Sequence, residues 1–333
     1  MKVSVLGLGM WGFCLARHLA LNGHTVAGWT KEAPLFDLLQ KGKDHPNLMR
    51  SAQGLPIRLT MDLEEAIDDA ELVVESVTTG GLRQVLQSIH SLKPHFSTPF
   101  VLTSKGIEQK TYLFPPDVFA DVFGRACVAK AAMLSGPSFA AEVAKQLPTA
   151  VVCGGTDAEV CDLAVSAFSS KTFRVYPNPD IRGVALGGAL KNIIAISCGV
   201  ADGLGLGTGA MASLVTRGLH EMVKLAVAES CQQPTLYGLS GLGDLYLTCS
   251  SPMSRNFSFG RLMSTGVSRN EAEKQIGMVV EGAYTCIAAK ELAQQRKISM
   301  PITEAVFDML AGSLSATEAV TRLMQRDIKE ERL

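Results

Sequence analysis

The most constraining stretch of this 333-residue chain is VSVLGLGMWG, residues 3–12. A short β-rich run ends in Gly7-Leu8-Gly9-Met10-Trp11-Gly12, and apolar residues then recur at helical spacing over 11–22. G-x-G-x-x-G between a strand and a helix gives each glycine a physical task. Gly7 makes the tight turn, Gly9 lets backbone approach a pyrophosphate, and Gly12 lets the helix pack closely on the strand. The helix N-terminus then turns free N–H groups and its positive dipole end toward the phosphates. A merely glycine-rich turn is the bland alternative. Trp11 reads either as a cover over the pyrophosphate or as a core anchor, and Arg17 and His18, further along the helix, read as surface residues.

The same alternation continues. VSVLG 3–7, TVAGW 25–29, LVVES 72–76, FVLTS 100–104, a run near 126–134, TAVVCG 149–154 and FRVYPN 173–178 read as strands, with helices at 11–22, 81–92 and 157–169. Beyond Pro179 strand signals largely disappear, and helices are expected near 180–200, 208–230, 281–296, 302–312 and 316–326. The expected fold is an α/β N-terminal Rossmann-type domain with a mostly parallel sheet, residues 1–180, followed by an all-α C-terminal domain, residues 181–333. The tail RDIKEER, 326–332, reads as a solvated end.

Composition narrows the ligand. A formal net charge of −1 with 19% charged residues gives no electrostatic footprint for nucleic acid or an anionic membrane, so a small molecule is expected. The eight cysteines form no C-x-x-C pair and the six histidines no H-x-H or H-E-x-x-H pattern, which predicts neither a disulfide framework nor a metal site and fits a cytoplasmic protein. The N-terminal run resembles a signal peptide only superficially, because no small-residue cleavage site follows. Residues 183–201 approach the length of a membrane span, yet Lys191-Asn192 sits at their centre, so a buried helix is expected.

An acid at the end of the second strand would bind the ribose 2′-hydroxyl of NAD. Here that strand ends Trp29-Thr30-Lys31. A cation tolerates the extra phosphate of NADP, which points to NADP(H) or dual use; an ordinary exposed lysine is the competing reading.

Three further motifs are candidates to carry chemistry: SKG with Lys105, SGPS with Gly136 and Ser138, and GGALKN with Lys191. Loops after parallel strands open at the carboxyl edge of the sheet, where ligands of open α/β folds bind. Ser138 reads equally well as a helix cap. Gly187 and Gly188 precede Lys191 by four and three residues and share its helical face, which suggests a floor without side chains beside a buried ammonium. A buried charge needs partners, and desolvation brings an ammonium toward the range useful for proton transfer. Asp244, in GLGD, is the candidate partner, or else a turn residue. Ser254-Arg255-Asn256 reads as a loop entering a helix, where Arg255 can grip a phosphate and its neighbours add neutral hydrogen bonds.

These motifs, with LSGPSFAAEVA, GVALGGALKNIIAI, GLSGLGDLYLTC, SRNFSFG and VVEG, resemble the bacterial NAD(P)-dependent glycerol-3-phosphate dehydrogenase family nearly end to end. Position by position, the resemblance implies Lys191 as proton donor and acceptor at the substrate C2 oxygen, with Lys105 and Asp244 completing the catalytic set. It implies that Lys105, Gly136, Ser138, Asp244, Ser254, Arg255 and Asn256 contact dihydroxyacetone phosphate or sn-glycerol 3-phosphate. It further implies that Met10, Trp11, Lys31, Lys105, Ala140, Arg255, Val279 and Glu281 line the NAD(P)H site, although residues 278–282 alone read as a strand end and helix cap. No metal is implied, a homodimer is the family habit, and supply of glycerol 3-phosphate to phospholipid synthesis is the usual role. The chain departs from the family at VVESVTTGGLR, 73–83, where many members have a Pro-Ser turn, so cofactor contacts of the 75–81 loop do not carry over. Two other readings share the architecture: a dehydrogenase of another hydroxy acid, and a non-catalytic NAD(P) sensor.

Overall fold

The structure, a computed structural model, describes residues 1–328 and 330. The chain divides into two compact units, one formed by Met1–Lys105 with Pro115–Val184, the other by Gly106–Phe114 with the chain from Ala185 onward.

The first unit is a sheet layered with helices. In chain order it runs β1 (Lys2–Leu6), α1 (Met10–Leu21), β2 (Thr25–Trp29), α2 (Ala33–Gln40), β3 (Ile57–Thr60), α3 (Leu63–Ile67), β4 (Leu72–Glu75), α4 (Thr79–Leu92) and β5 (Phe100–Leu102). It continues with α5 (Pro115–Phe123), β6 (Ala131–Ser135), α6 (Ala140–Val143), β7 (Thr149–Gly155), α7 (Ala158–Phe168) and β8 (Phe173–Asn178). The eight strands lie in the order β3-β2-β1-β4-β5-β6-β7-β8. Every neighbouring pair is parallel except β6 with β7. All four residues of β4 and all five of β6 are buried, as strands covered on both faces must be. The core joins Val5, Phe13, Leu15, Val74, Val101 and Leu134. Strand order reverses between β1 and β4, which puts the switch point at the loops after Leu6 and Glu75.

The second unit is helical. α8 (Ile181–Gly203) starts at the end of the first unit and leads to α9 (Gly207–Ala228), α10 (Gln233–Leu236), a π-helical turn at Leu239–Gly243, α11 (Asp244–Cys249) and α12 (Arg255–Ser264). α13 (Arg269–Ile276), α14 (Glu281–Gln295), α15 (Pro301–Leu310) and α16 (Ala316–Met324) complete it. α8 is long and apolar enough to cross a membrane, but its apolar stretch is wholly buried in protein.

Several local expectations change. The run near 126–134 is extended only from Ala131: Arg125–Lys130 forms a 3₁₀ turn with no buried residue, and pairing begins where burial begins. α2, β3 and α3 fill a stretch that shows no clear period, and α10, α11 and α13 are likewise short or polar. Met278–Val280 is not a strand but the irregular lead into α14. His18 is buried rather than exposed, its Nε2 2.6 Å from the Phe168 carbonyl oxygen and its ring against Phe173, and burial lowers its pKa. In the charged tail Arg326, Asp327, Ile328 and Glu330 are exposed, while Lys329, Glu331 and Arg332 lie outside the described residues.

Candidate active site

In the first unit the three glycines of the fingerprint have different surroundings. Gly7 has φ +97°, and a Cβ there would sit 2.6 Å from the Ser76 carbonyl oxygen, so the turn demands glycine. A Cβ on Gly12 would run into the Gly7 carbonyl oxygen, which sets the closeness of α1 to β1. A Cβ on Gly9 would meet nothing within 4 Å. Gly9 is also the N-cap of α1 and lends no side chain to the first-turn N–H groups. Packing therefore explains Gly7 and Gly12, whereas the backbone at Gly9 faces open space, as a bound pyrophosphate requires.

Other groups fit the same ligand. Met10 and Trp11 are half-buried against the core, and the Trp11 indole N–H is buried without a protein acceptor. His45, unread in the sequence, stacks on Phe13 and places Nε2 3.1 Å from the Leu8 carbonyl oxygen, steadying the loop. Lys31 is exposed just past β2. Lys105 donates to the Gly136 carbonyl oxygen at 3.3 Å, and Ser138 Oγ donates to the same oxygen at 3.1 Å. These three residues are thus brought together. Ser138 does not cap α6, whose N-cap is Phe139; Ala140 is its first residue. Gly136 has φ +139°, and a Cβ would lie 2.9 Å from the Val151 Cα.

The second unit gathers the other candidates. Lys191 is 7% exposed and Asp244 1% exposed, and the two form a short ion pair. Lys191 Nζ also donates to Thr248 Oγ1 at 2.9 Å, and Thr248 Oγ1 donates to the Asp244 carbonyl oxygen at 2.6 Å. Asp244 and Thr248 stand one turn apart on α11, so one helix face presents both to the ammonium. That spacing was readable in GDLYLT, but a lone threonine carries no chemical flag.

Gly187 has a different purpose from the one its sequence suggests. A Cβ there would lie 2.7 Å from the Ser240 carbonyl oxygen and 3.2 Å from Gly241 N. The bare surface beside Lys191 is thus occupied at Gly187 by the backbone of the π-helical turn, and this close approach brings the start of α11, with Asp244, against α8.

Ser254 caps α12 by accepting the Phe257 N–H at 3.2 Å and is buried. Arg255 opens that helix, is exposed, and donates to the Val279 carbonyl oxygen at 3.1 Å. Asn256 donates through Nδ2 to Asn192 Oδ1 at 2.9 Å and accepts the Gly282 N–H at 2.9 Å. Its amide therefore ties α8, α12 and α14 together beside Arg255, and Asn192 is a further residue the sequence reading passed over. Val279 is 45% exposed, and Glu281 is the first residue of α14. Among the described residues no group of three or more His, Cys, Asp or Glu is placed to hold a metal ion.

Two family models match the chain: the NAD-dependent glycerol-3-phosphate dehydrogenase N-terminus over residues 2–161, and the C-terminus of the same family over residues 180–321. The chain belongs to the NAD-dependent glycerol-3-phosphate dehydrogenase family. The glycerol-3-phosphate dehydrogenase [NAD(P)+] of Protochlamydia amoebophila (strain UWE25) is 51% identical over 332 residues, covering 100% of this chain and 99% of that protein. Its counterpart from Chlamydia pneumoniae is 46% identical over 329 residues, covering 99% of this chain and 98% of its own length. The crystal structure of glycerol-3-phosphate dehydrogenase from Coxiella burnetii superposes with a TM-score of 0.91 at 34% identity, covering 98% of this chain and 99% of that one. Membership in the glycerol-3-phosphate dehydrogenase family fits both the glycine loop of the first unit and the buried lysine of the second.

Proposed function

We propose that this chain catalyses reversible hydride transfer between NAD(P)H and dihydroxyacetone phosphate, giving sn-glycerol 3-phosphate for glycerophospholipid synthesis, with Lys191 as proton donor and acceptor. The observation that carries this reading is the buried Lys191–Asp244–Thr248 set in a chain of this family. A structural ion pair of this burial is a weak contributor to stability. A held ammonium beside a polar substrate has a chemical use.

When bound, the nicotinamide supplies the hydride or takes it back. The Gly9 backbone and the α1 N-terminus would hold the pyrophosphate in the turn that Gly7 and Gly12 shape, Met10, Trp11 and Ala140 would border it, and Lys31 would admit a 2′-phosphate, so that both NADH and NADPH would serve. In the reductive direction negative charge develops on the C2 oxygen. Lys191 stabilises that charge and then donates its proton, while Asp244 and Thr248 fix Nζ in place. Asp244 also returns negative charge to a site that would otherwise hold a bare ammonium. Lys105, fixed on Gly136 with Ser138, adds a second cation. Arg255 grips the remote phosphate, and that binding energy orients the reacting carbon. Ser254 and Asn256 hold Arg255 at the helix start, and Val279 with Glu281 forms the adjoining edge of the site.

The test is a substrate panel with both reduced nucleotides. Oxidation of NADH and NADPH on adding dihydroxyacetone phosphate, with sn-glycerol 3-phosphate as product and no turnover of 6-phosphogluconate or 3-hydroxy acids, is the expected result. Turnover of one of those acids instead, or nucleotide binding with no turnover, would replace this reading by a related dehydrogenase or by a sensor.

A further inference from the structure

Glu75 ends β4 and is completely buried, although a carboxylate is among the groups least suited to such a place. Its Oε1 accepts the Val77 N–H at 2.7 Å and lies 2.6 Å from Ser104 Oγ. Its Oε2 faces the N–H groups of Thr103 at 3.3 Å and Ser104 at 3.4 Å. Ser104 Oγ, in turn, lies 2.8 Å from the Val77 carbonyl oxygen.

The protons in this set can be counted. A hydroxyl has one proton to donate, and a carbonyl oxygen can only accept. The Ser104 proton therefore goes to Val77 O, and the 2.6 Å contact to Glu75 needs a proton from the carboxyl. The ring closes when Glu75 is neutral: its O–H donates to Ser104 Oγ, the Ser104 O–H donates to Val77 O, and the Val77 N–H donates back to Glu75 Oε1. An ionised Glu75 would leave one hydroxyl proton between two acceptors.

Burial favours the neutral acid and outweighs the surrounding N–H groups, which on their own favour the carboxylate. In register, Glu75 has Leu6 on β1 and Leu102 on β5 as neighbours. The turns add the N–H groups of Val77, Thr103 and Ser104 and the Ser104 hydroxyl, and Lys105 is the charged residue that follows, its ammonium on Gly136. Burial pushes the Glu75 carboxyl up to about 7.

We propose that Glu75 is a positioning residue: as a neutral carboxylic acid it clamps the turn after β4 to the turn after β5 and so fixes the backbone from which Lys105 reaches Gly136. The clamp also braces the nucleotide loop, because the Ser76 carbonyl oxygen is the wall that Gly7 packs against. The inference rests on the reading of Lys105 and the glycine loop as ligand-binding. It gives the 75–78 segment, where the chain departs from its family's usual Pro-Ser turn, a role of its own.

The experiment pairs two readouts on wild type and Glu75→Gln. Infrared difference spectra between pH 6 and pH 8.5 read the carbonyl stretch of a protonated carboxyl, and NADH titration by nucleotide fluorescence gives Kd over the same range. We expect titrating carboxyl absorption in wild type that loses one component in Glu75→Gln, the component of buried Glu221 remaining. We also expect a wild-type Kd that weakens several-fold as pH rises through neutrality, against a flat Kd in the variant. Ser104→Ala, which keeps the carboxyl but opens the ring, should weaken NADH binding at pH 6 with the thermal midpoint little changed. An unchanged band in Glu75→Gln, parallel Kd profiles, or full NADH affinity in Ser104→Ala would overturn the proposal. A wild type that shows the Glu75-dependent profile but does not oxidise NADH with dihydroxyacetone phosphate would instead overturn the proposed reaction.

Discussion

At the scale of single residues, the proposed proton transfer depends on how one ammonium is held. Lys191 is buried with a carboxylate and a hydroxyl from the same face of α11, and each partner restricts where Nζ can sit. Removing the hydroxyl without changing side-chain shape isolates this effect. Thr248→Val should lower kcat about tenfold, since a hydrogen bond to a charged group contributes roughly 1.5–3 kcal/mol and each 1.4 kcal/mol is a factor of ten in rate. Steady-state kinetics with the nucleotide Kd as control would check it, and an unchanged kcat would show that the Thr248 hydroxyl does not hold the lysine for catalysis. The sequence made Lys191 and Asp244 legible because a lone charge in an apolar run and an acid in a glycine turn are unusual. Thr248, Asn192 and Glu75 were not legible, because their meaning lies in contacts with residues distant in the chain.

At the scale of elements, the close approach of α8 to the π-helical turn at Leu239–Gly243 positions Asp244. Gly187 makes that approach possible, since a methyl group there would press on the Ser240 carbonyl oxygen at 2.7 Å. Gly187→Ala should therefore destabilise the protein by about 1–3 kcal/mol, the usual range for overpacking. It should also lower kcat while leaving nucleotide affinity intact, because the nucleotide loop lies in the other unit. Thermal unfolding and kinetics together would test this, and a stable variant with wild-type kcat would refute the role given to Gly187. Long or strongly patterned elements were readable from sequence: β2 and β8 match their expected bounds, and α9 and α14 fall within a residue or two. The stretches 30–71 and 233–276 were not, since their elements are short or polar and several are set by caps such as Asp62 on Glu65 N and Ser268 on Glu271 N. Gly187 shows the limit in another way. The sequence exposed a bare helix face but not what covers it.

At the scale of the whole molecule, buried titratable groups give opposite pH dependences. Glu75 and Glu221 are both pushed up to about 7 by burial, Glu221 while accepting the Ile302 and Thr303 N–H groups at the start of α15. A folded-state value above the unfolded one means stability that is fully present below the unfolded carboxyl value and lost as pH rises through about 7. His18 and His45 are shifted down by burial, so their contribution is present above the ordinary histidine value and lost as pH falls below it. Below about pH 7 the two effects oppose each other, so Glu221→Gln should remove a falling contribution and tilt the thermal midpoint upward with pH relative to wild type; calorimetry from pH 5 to pH 8.5 would show the same slope in both proteins if that assignment were wrong. The proposed function assigns the nucleotide to the first unit and the proton transfer to the second. The most direct test is the absorbance of NADH on adding dihydroxyacetone phosphate to wild type and to Lys191→Ala, with nucleotide binding measured in both. We expect oxidation by wild type and a loss of about 10²–10⁴-fold in kcat for Lys191→Ala, the range for a general acid, with nucleotide affinity retained. A Lys191→Ala protein that binds NADH and oxidises it at the wild-type rate would contradict the proposed proton transfer.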